Sequence, residues 1–154
     1  MTKQYSVAVV GATGLVGQTM IEVLEQRRFP LDRLIPLASS RTAGETCRCL
    51  GREYTVGDLA EHDFAGVDLA LFSAGGSVSA EHAPRAAAAG AVVIDNTSFF
   101  RYDDDVPLVV PEVNPEAIAG HTARGIIANP NCSTIQLVVA LKPIHAEAGI
   151  TRVN

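Results

Sequence analysis

The chain has 154 residues, 47% of them hydrophobic, and a formal charge of -5 from 12 Lys and Arg against 17 Asp and Glu. That is enough for one well-buried domain, and it does not fit an intrinsically disordered chain. The cations are scattered, with no basic block and no aromatic interleaving, which argues against nucleic-acid binding, whose electrostatic component needs a basic face.

Residues 1–4 run directly into an apolar segment, with no small-residue cleavage site after a long apolar region, so no secretory signal is expected. No stretch reaches the roughly 18 apolar residues that span a bilayer. Even the run from Leu137 to Leu141 is broken by Lys142 and Pro143. The cysteines are an odd set, Cys47, Cys49 and Cys132, which suits a reducing cytoplasm better than a disulfide framework.

Tyr5-Ser6-Val7-Ala8-Val9-Val10 has the character of a strand covered on both faces, and Gly11-Ala12-Thr13-Gly14-Leu15-Val16-Gly17 follows at once. Leu15, Val16, Met20, Val23 and Leu24 then recur at helical spacing, with Gln18, Glu22, Glu25 and Gln26 opposite. Strand, glycine turn and helix in this order form a dinucleotide-binding unit. Gly11 allows the tight turn, Gly14 the close approach of a pyrophosphate, and Gly17 the packing of the helix near the sheet. The unpaired N–H groups of the helix start would hold the phosphates. As a bare string the motif would also fit a purely structural turn; its context is what favours a nucleotide site.

A second strand is expected over residues 34–38, with Pro36 placing it at an edge or strand entry. Its end carries Ser39, Ser40, Arg41 and Thr42 where an NAD-selective site would carry an acid for the ribose hydroxyls. Hydroxyls and an arginine suit a 2'-phosphate, so the expected cofactor is NADP. Cys47-Arg48-Cys49 has no second cysteine pair, with His62 a solitary companion, so no metal site is expected. These residues read as a small ribbon with Arg48 outward, continuing through Glu53-Tyr54-Thr55-Val56, and residues 58–68 as a short polar helix or loop.

Residues 67–72 return to strand character before Ser73-Ala74-Gly75-Gly76. Ser73, Ala74 and Gly75 leave room for the ribose and nicotinamide at a strand's carboxyl end. An alanine-rich helix is expected from about residue 80 to 89, starting late because of Pro84, with Ser77 or Ser79 as its cap. A further strand, residues 91–95, leads to Asn96-Thr97-Ser98-Phe99-Phe100-Arg101. The Arg101 guanidinium can grip a phosphate through two donors; the alternative is a surface ion pair with Asp103, Asp104 or Asp105. An extended segment over 106–114, a short helix opened by Pro115 and a last strand over 125–128 follow.

Asn129-Pro130-Asn131-Cys132-Ser133-Thr134 then opens a helical pattern of Ile135, Leu137, Val138 and Leu141, with Ser133 or Thr134 near the cap. A cysteine at a helix N-terminus meets unpaired N–H groups that favour thiolate over thiol. The same groups, joined by the Asn131 side chain, could stabilise an oxyanion. The bland alternative is a buried apolar filler. Residues 150–154 read as the start of another strand.

The motifs around Gly11 to Gly17, Ser39 to Arg41, Ser73 to Gly76, Asp95 to Arg101, Val109-Val110-Pro111-Glu112-Val113-Asn114 and Asn129 to Thr134 resemble the aspartate-semialdehyde dehydrogenases along almost the whole chain. The resemblance implies an α/β, Rossmann-type, mostly parallel sheet with helices on both faces over residues 1–128. Residues 129–154 would be the first elements of a truncated catalytic and dimerisation domain. It further implies that Cys132, with Asn131, carries an acyl-thioester and that Arg101, with Asn129, meets the substrate phosphate. Gly11, Thr13, Gly14, Leu15, Val16, Gly17, Ser39, Arg41, Thr42, Ser73, Ala74 and Gly75 would hold NADP.

The implied reaction is reduction of aspartyl 4-phosphate to its semialdehyde, in a cytoplasmic homodimer that serves lysine, methionine, threonine and diaminopimelate synthesis. The family's acid/base histidine, a glutamine near the thiol and a carboxylate-binding arginine belong to its second domain. None of His62, His82, His121 or His145 sits in a matching motif, so these 154 residues alone are expected to be inactive. Two alternatives stand beside this: an N-acetyl-glutamyl-phosphate reductase-like enzyme and a non-catalytic nucleotide-binding module.

Overall fold

The computed structural model describes residues 3–153. Six strands form one sheet in the order β5-β2-β1-β6-β7-β8, every neighbouring pair parallel. They are β1 (Tyr5–Val10), β2 (Leu31–Ala38), β5 (Gly57–Asp58), β6 (Leu69–Phe72), β7 (Val92–Asp95) and β8 (Ile126–Ala128). An antiparallel ribbon of β3 (Thr46–Cys49) and β4 (Arg52–Thr55) stands beside it. Three α-helices complete the frame: α1 (Leu15–Gln26), α2 (Gly76–Ala88) and α3 (Cys132–Ala148). This is the expected Rossmann-type architecture.

Strand alternation explains why β1 is apolar throughout. Ala8 and Val10 join Phe72, Val93 and the α2 residues Ala83 and Ala86 on one face. Val7 and Val9 join Ile21 of α1, Leu34 and Cys49 of the ribbon on the other. Both faces are covered, as parallel sheets require. Arg48 points outward from the ribbon, as expected, and pairs with Glu53 at 3.5 Å.

Several local expectations are corrected. β2 begins three residues early, at Leu31, because Tyr5 and Leu31 are already paired. Residues 59–68 are loop, within the expected helix or loop, but Asp58 joins Gly57 in a short edge strand on Leu37 and Ala38. The inward stripe of α1 is not the whole apolar set. Gly17 and Ile21 are the buried residues, while Leu15 is 82% exposed and Val16 and Val23 also face outward.

Helix α2 starts at Gly76 and runs through Pro84, with Gly75 as N-cap, so neither Ser77 nor Ser79 caps it. An interior proline forfeits one helical hydrogen bond, at about 3 kcal/mol. Burial of Ser79, His82, Ala83 and Ala86 against the sheet offsets it. The segment opened by Pro115 is a longer 3-10 helix, Pro115–Ala123. Residues 150–153 form no strand, and Asn154 lies outside the described residues.

Gly17 fixes how closely α1 approaches the glycine turn. A Cβ there would collide with the Gly11 carbonyl, with the Gly11 carbon at 2.8 Å and the Ala12 Cα at 2.9 Å. These are backbone atoms and cannot swing aside. Replacing Gly17 with Ala therefore destabilises the domain by about 1–3 kcal/mol despite alanine's better helix propensity, because overpacking outweighs it. Urea denaturation of the two proteins checks this; an unchanged or raised midpoint contradicts it.

Candidate functional site

Because every pairing in the sheet is parallel, all six strands end on the same edge. The chain leaves β1 to one side for β2 and returns on the other side for β6, so the switch of strand order falls between β1 and β6. Ligands of open parallel sheets bind there. The glycine turn after β1 and the Ser73-Ala74 loop after β6 meet at this point. Gly11 has φ +90, and a Cβ on it would lie 3.0 Å from the Ser73 carbonyl carbon and oxygen. Only bare backbone fits.

A cavity of about 420 Å³ opens beside this contact. Gly11, Thr13, Gly14, Ser39, Arg41, Thr42, Ser73 and Ala74, all sequence candidates, line it. Thr13 Oγ1 and Thr42 Oγ1 are 3.2 Å apart, which ties the glycine turn to the loop after β2. Four other candidates lie off the cavity wall. Gly17 is packed under the turn and Gly75 caps α2. Leu15 faces outward. Val16 lines a separate apolar groove with Met20, Val23 and Leu71.

Sequence reasoning missed Ala38, Asp58, Leu59, Ala60, Val78 and His82, which also line the cavity. Asp58 Oδ1 accepts from Ala60 N–H at 3.0 Å, closing the loop after β5. His82 is buried on α2, with Nδ1 2.8 Å from Arg85 Nη1. A guanidinium only donates, so Nδ1 accepts and the neutral ring carries its proton on Nε2.

A second cluster continues along the edge, over β7 and β8. Arg101 Nε donates to the Asn129 carbonyl at 2.9 Å and Nη2 to the Asn96 carbonyl at 3.1 Å. The Asn129 amide donates to Asn96 Oδ1 at 2.7 Å. The surface ion pair considered for Arg101 is not formed; Arg124 takes Asp103 and Asp105 instead, at 2.9 and 3.2 Å.

Cys132 is the first residue of α3 and is exposed. The cap is Asn131 rather than Ser133 or Thr134: its Oδ1 accepts from Ser133 N–H at 2.9 Å. That oxygen lies 4.0 Å from Cys132 Sγ. Adjacent strands are about 4.8 Å apart, so the loop bearing Cys132 stands about 10 Å along the edge from the Ser73 loop, two strands away. The histidines lie elsewhere. His145 is on α3 thirteen residues past Cys132, about 20 Å along the helix, and accepts from Ile150 N–H. His121 Nδ1 contacts the Ile118 carbonyl.

Asp95, at the end of β7, is fully buried, yet three donors converge on it. Ser79 Oγ donates to Oδ1 at 2.8 Å, Thr97 N–H to Oδ1 at 3.0 Å and Thr97 Oγ1 to Oδ2 at 2.7 Å. Burying a carboxylate costs several kcal/mol, and hydrogen bonds to a charged group return about 1.5–3 kcal/mol each, so this set is what makes the burial tolerable.

The model of the semialdehyde dehydrogenase NAD-binding domain matches residues 6–121. The chain belongs to the semialdehyde dehydrogenase family. Aspartate-semialdehyde dehydrogenase of Legionella pneumophila is 61% identical over 154 residues, which is 100% of this chain and 44% of that protein. The crystal structure of aspartate semialdehyde dehydrogenase II complexed with ASA from Vibrio cholerae has a TM-score of 0.95 at 61% identity, covering 96% of this chain and 48% of that one. The Candida albicans aspartate semialdehyde dehydrogenase with NADP has a TM-score of 0.77 at 30% identity, covering 96% of this chain and 48% of that one. The chain thus spans about half the length of the relatives it matches. Among the described residues, no helix is long and apolar enough to cross a membrane.

Burial holds the His82 and His62 rings below the ordinary histidine range. At His82, Glu81 pulls the other way and Arg85 adds to the lowering. At His62, Asp63 opposes while Arg33 and Arg85 assist. A histidine lowered in the fold takes up protons on unfolding. Its stabilising contribution is complete above the unfolded value near 6.5 and is lost as pH falls below it. Thermal midpoints measured between about pH 7.5 and 5.5 are expected to fall, and less steeply in His82→Gln. Equal slopes in the two proteins contradict the assignment to His82.

Proposed function

We propose that the whole protein catalyses the NADP-dependent, reductive dephosphorylation of aspartyl 4-phosphate to aspartate semialdehyde. One observation carries this reading: Cys132 stands exposed at the start of a helix, on the same sheet edge as a glycine cradle and an Arg101 guanidinium held by the Asn129 and Asn96 carbonyls.

The residues of the cavity fit a phosphorylated dinucleotide. The bare Gly11 and Gly14 backbone suits a pyrophosphate, and Thr13, Ser39, Arg41 and Thr42 offer hydroxyls and a cation at the end of β2. The one acid on the wall, Asp58, is engaged with its own loop. When bound, NADPH supplies the hydride that reduces the thioester carbon to the aldehyde.

The chain's own residues do the rest. Cys132 Sγ attacks the acyl carbon, and the bond from that carbon to the phosphate oxygen breaks. Arg101 meets the departing phosphate, and the acyl group stays on sulfur. After reduction the carbon–sulfur bond breaks and Cys132 recovers its electron pair. N–H groups at the start of α3 stabilise the oxyanion. No histidine among the described residues is bonded to Cys132, and the reading assigns acid/base chemistry to the part of the relatives this chain does not match. With that part comes the homodimer, and with the reaction a cytoplasmic role in lysine, methionine, threonine and diaminopimelate synthesis.

In the whole protein, Cys132→Ser is expected to lower phosphate-dependent NADPH formation at least about 10³-fold, because the nucleophile is gone. Binding of NADP, tighter than that of NAD, should stay within about twofold of wild type, because Cys132 is not on the cavity wall. Retained turnover would remove the thioester mechanism, and absence of turnover in the wild type would favour a non-catalytic nucleotide module.

A further inference from the structure

The Asp95 network has no place in the reaction as written, since it touches neither the cavity wall nor the thiol. Its geometry nevertheless links both. Ser79 lies in the first turn of α2, just after the Ser73 to Gly76 loop, and Thr97 opens the loop that carries Arg101. The backbone continues the link, because the Asp95 carbonyl accepts from Asn129 N–H at 2.8 Å and Asn96 N–H donates to Phe72 at 2.9 Å. Thr97 also receives: its Oγ1 accepts from Phe99 N–H at 3.3 Å, which turns the loop back towards Arg101.

We propose that Asp95 is a positioning residue that, through Thr97, sets the path of residues 96–101 and so places the Arg101 guanidinium between the Asn96 and Asn129 carbonyls to receive phosphate. The inference rests on the assignment of Arg101 to phosphate given above. What it requires of Asp95 is a hydrogen-bonding partner at both side-chain positions rather than charge. An asparagine there keeps Oδ1 for Ser79 and for Thr97 N–H, and its amide can donate to Thr97 Oγ1, which becomes an acceptor. Valine at 97 keeps the shape of threonine and removes both hydroxyl bonds.

The test is steady-state kinetics of the whole protein in the phosphate-consuming direction, comparing wild type, Thr97→Val and Asp95→Asn. Thr97→Val is expected to raise KM for phosphate about tenfold, while kcat and KM for NADP stay within about twofold. Asp95→Asn should keep KM for phosphate within about threefold of wild type. An unchanged KM for phosphate in Thr97→Val, an equal rise for phosphate and NADP, or an Asp95→Asn protein as impaired as Thr97→Val overturns the proposal. Should wild type itself show no phosphate-dependent turnover, the reading of function fails, and hydrogen exchange then judges the positioning separately. Faster exchange at residues 97–101 in Thr97→Val, but not in Asp95→Asn, supports it; equal exchange in all three overturns it.

Discussion

Parallel pairing across six strands is the constraint on which the rest of the structure depends. It brings six strand ends to one edge, and each end releases a loop there. The loops after β1, β2, β5 and β6 wall the nucleotide cavity, and those after β7 and β8 hold Arg101 and Cys132. A sheet with one antiparallel strand among these would send a loop to the far side. The price is a doubly buried sheet, met by α1 and the ribbon on one face and α2 on the other.

Polar atoms beneath that edge are arranged so that little of the site depends on long, free side chains. Arg101 is held by two backbone carbonyls, Asn129 by Asn96, and Asn96 by the end of β6. Asp95 occupies the centre of this arrangement, buried with all its partners donating. Such a network fixes one geometry, because any loss leaves a buried polar group unsatisfied. Cys132, by contrast, is exposed at its helix start, which suits the nucleophilic role proposed for it.

Local signals in the sequence were enough for β1, the glycine turn, the ribbon and the position of Cys132, since each depends on residues adjacent in the chain. Other features depend on partners far away in sequence. Pro84 stands inside α2 because the sheet buries the residues around it, and part of the apolar set of α1 lines an open groove with Leu71 instead of a closed core. Asp58 and His82 reach the cavity only through the packing of β5 and α2, and no motif marks either. Asp95 was legible as the end of a strand but not as the meeting point of Ser79 and Thr97. Asn131 is the cap instead of Ser133 or Thr134 because the helix starts at Cys132, two residues earlier than a Ser133 cap implies.

The central claim is that an acyl group passes through the sulfur of Cys132. The most direct measurement supplies the whole protein with aspartate semialdehyde and NADP, withholds phosphate, quenches in acid and maps the peptides by mass spectrometry. The account predicts an aspartyl thioester on Cys132 that disappears when phosphate is added, with Cys47 and Cys49 unmodified. An unmodified Cys132, or an acyl group that persists in phosphate, would contradict it.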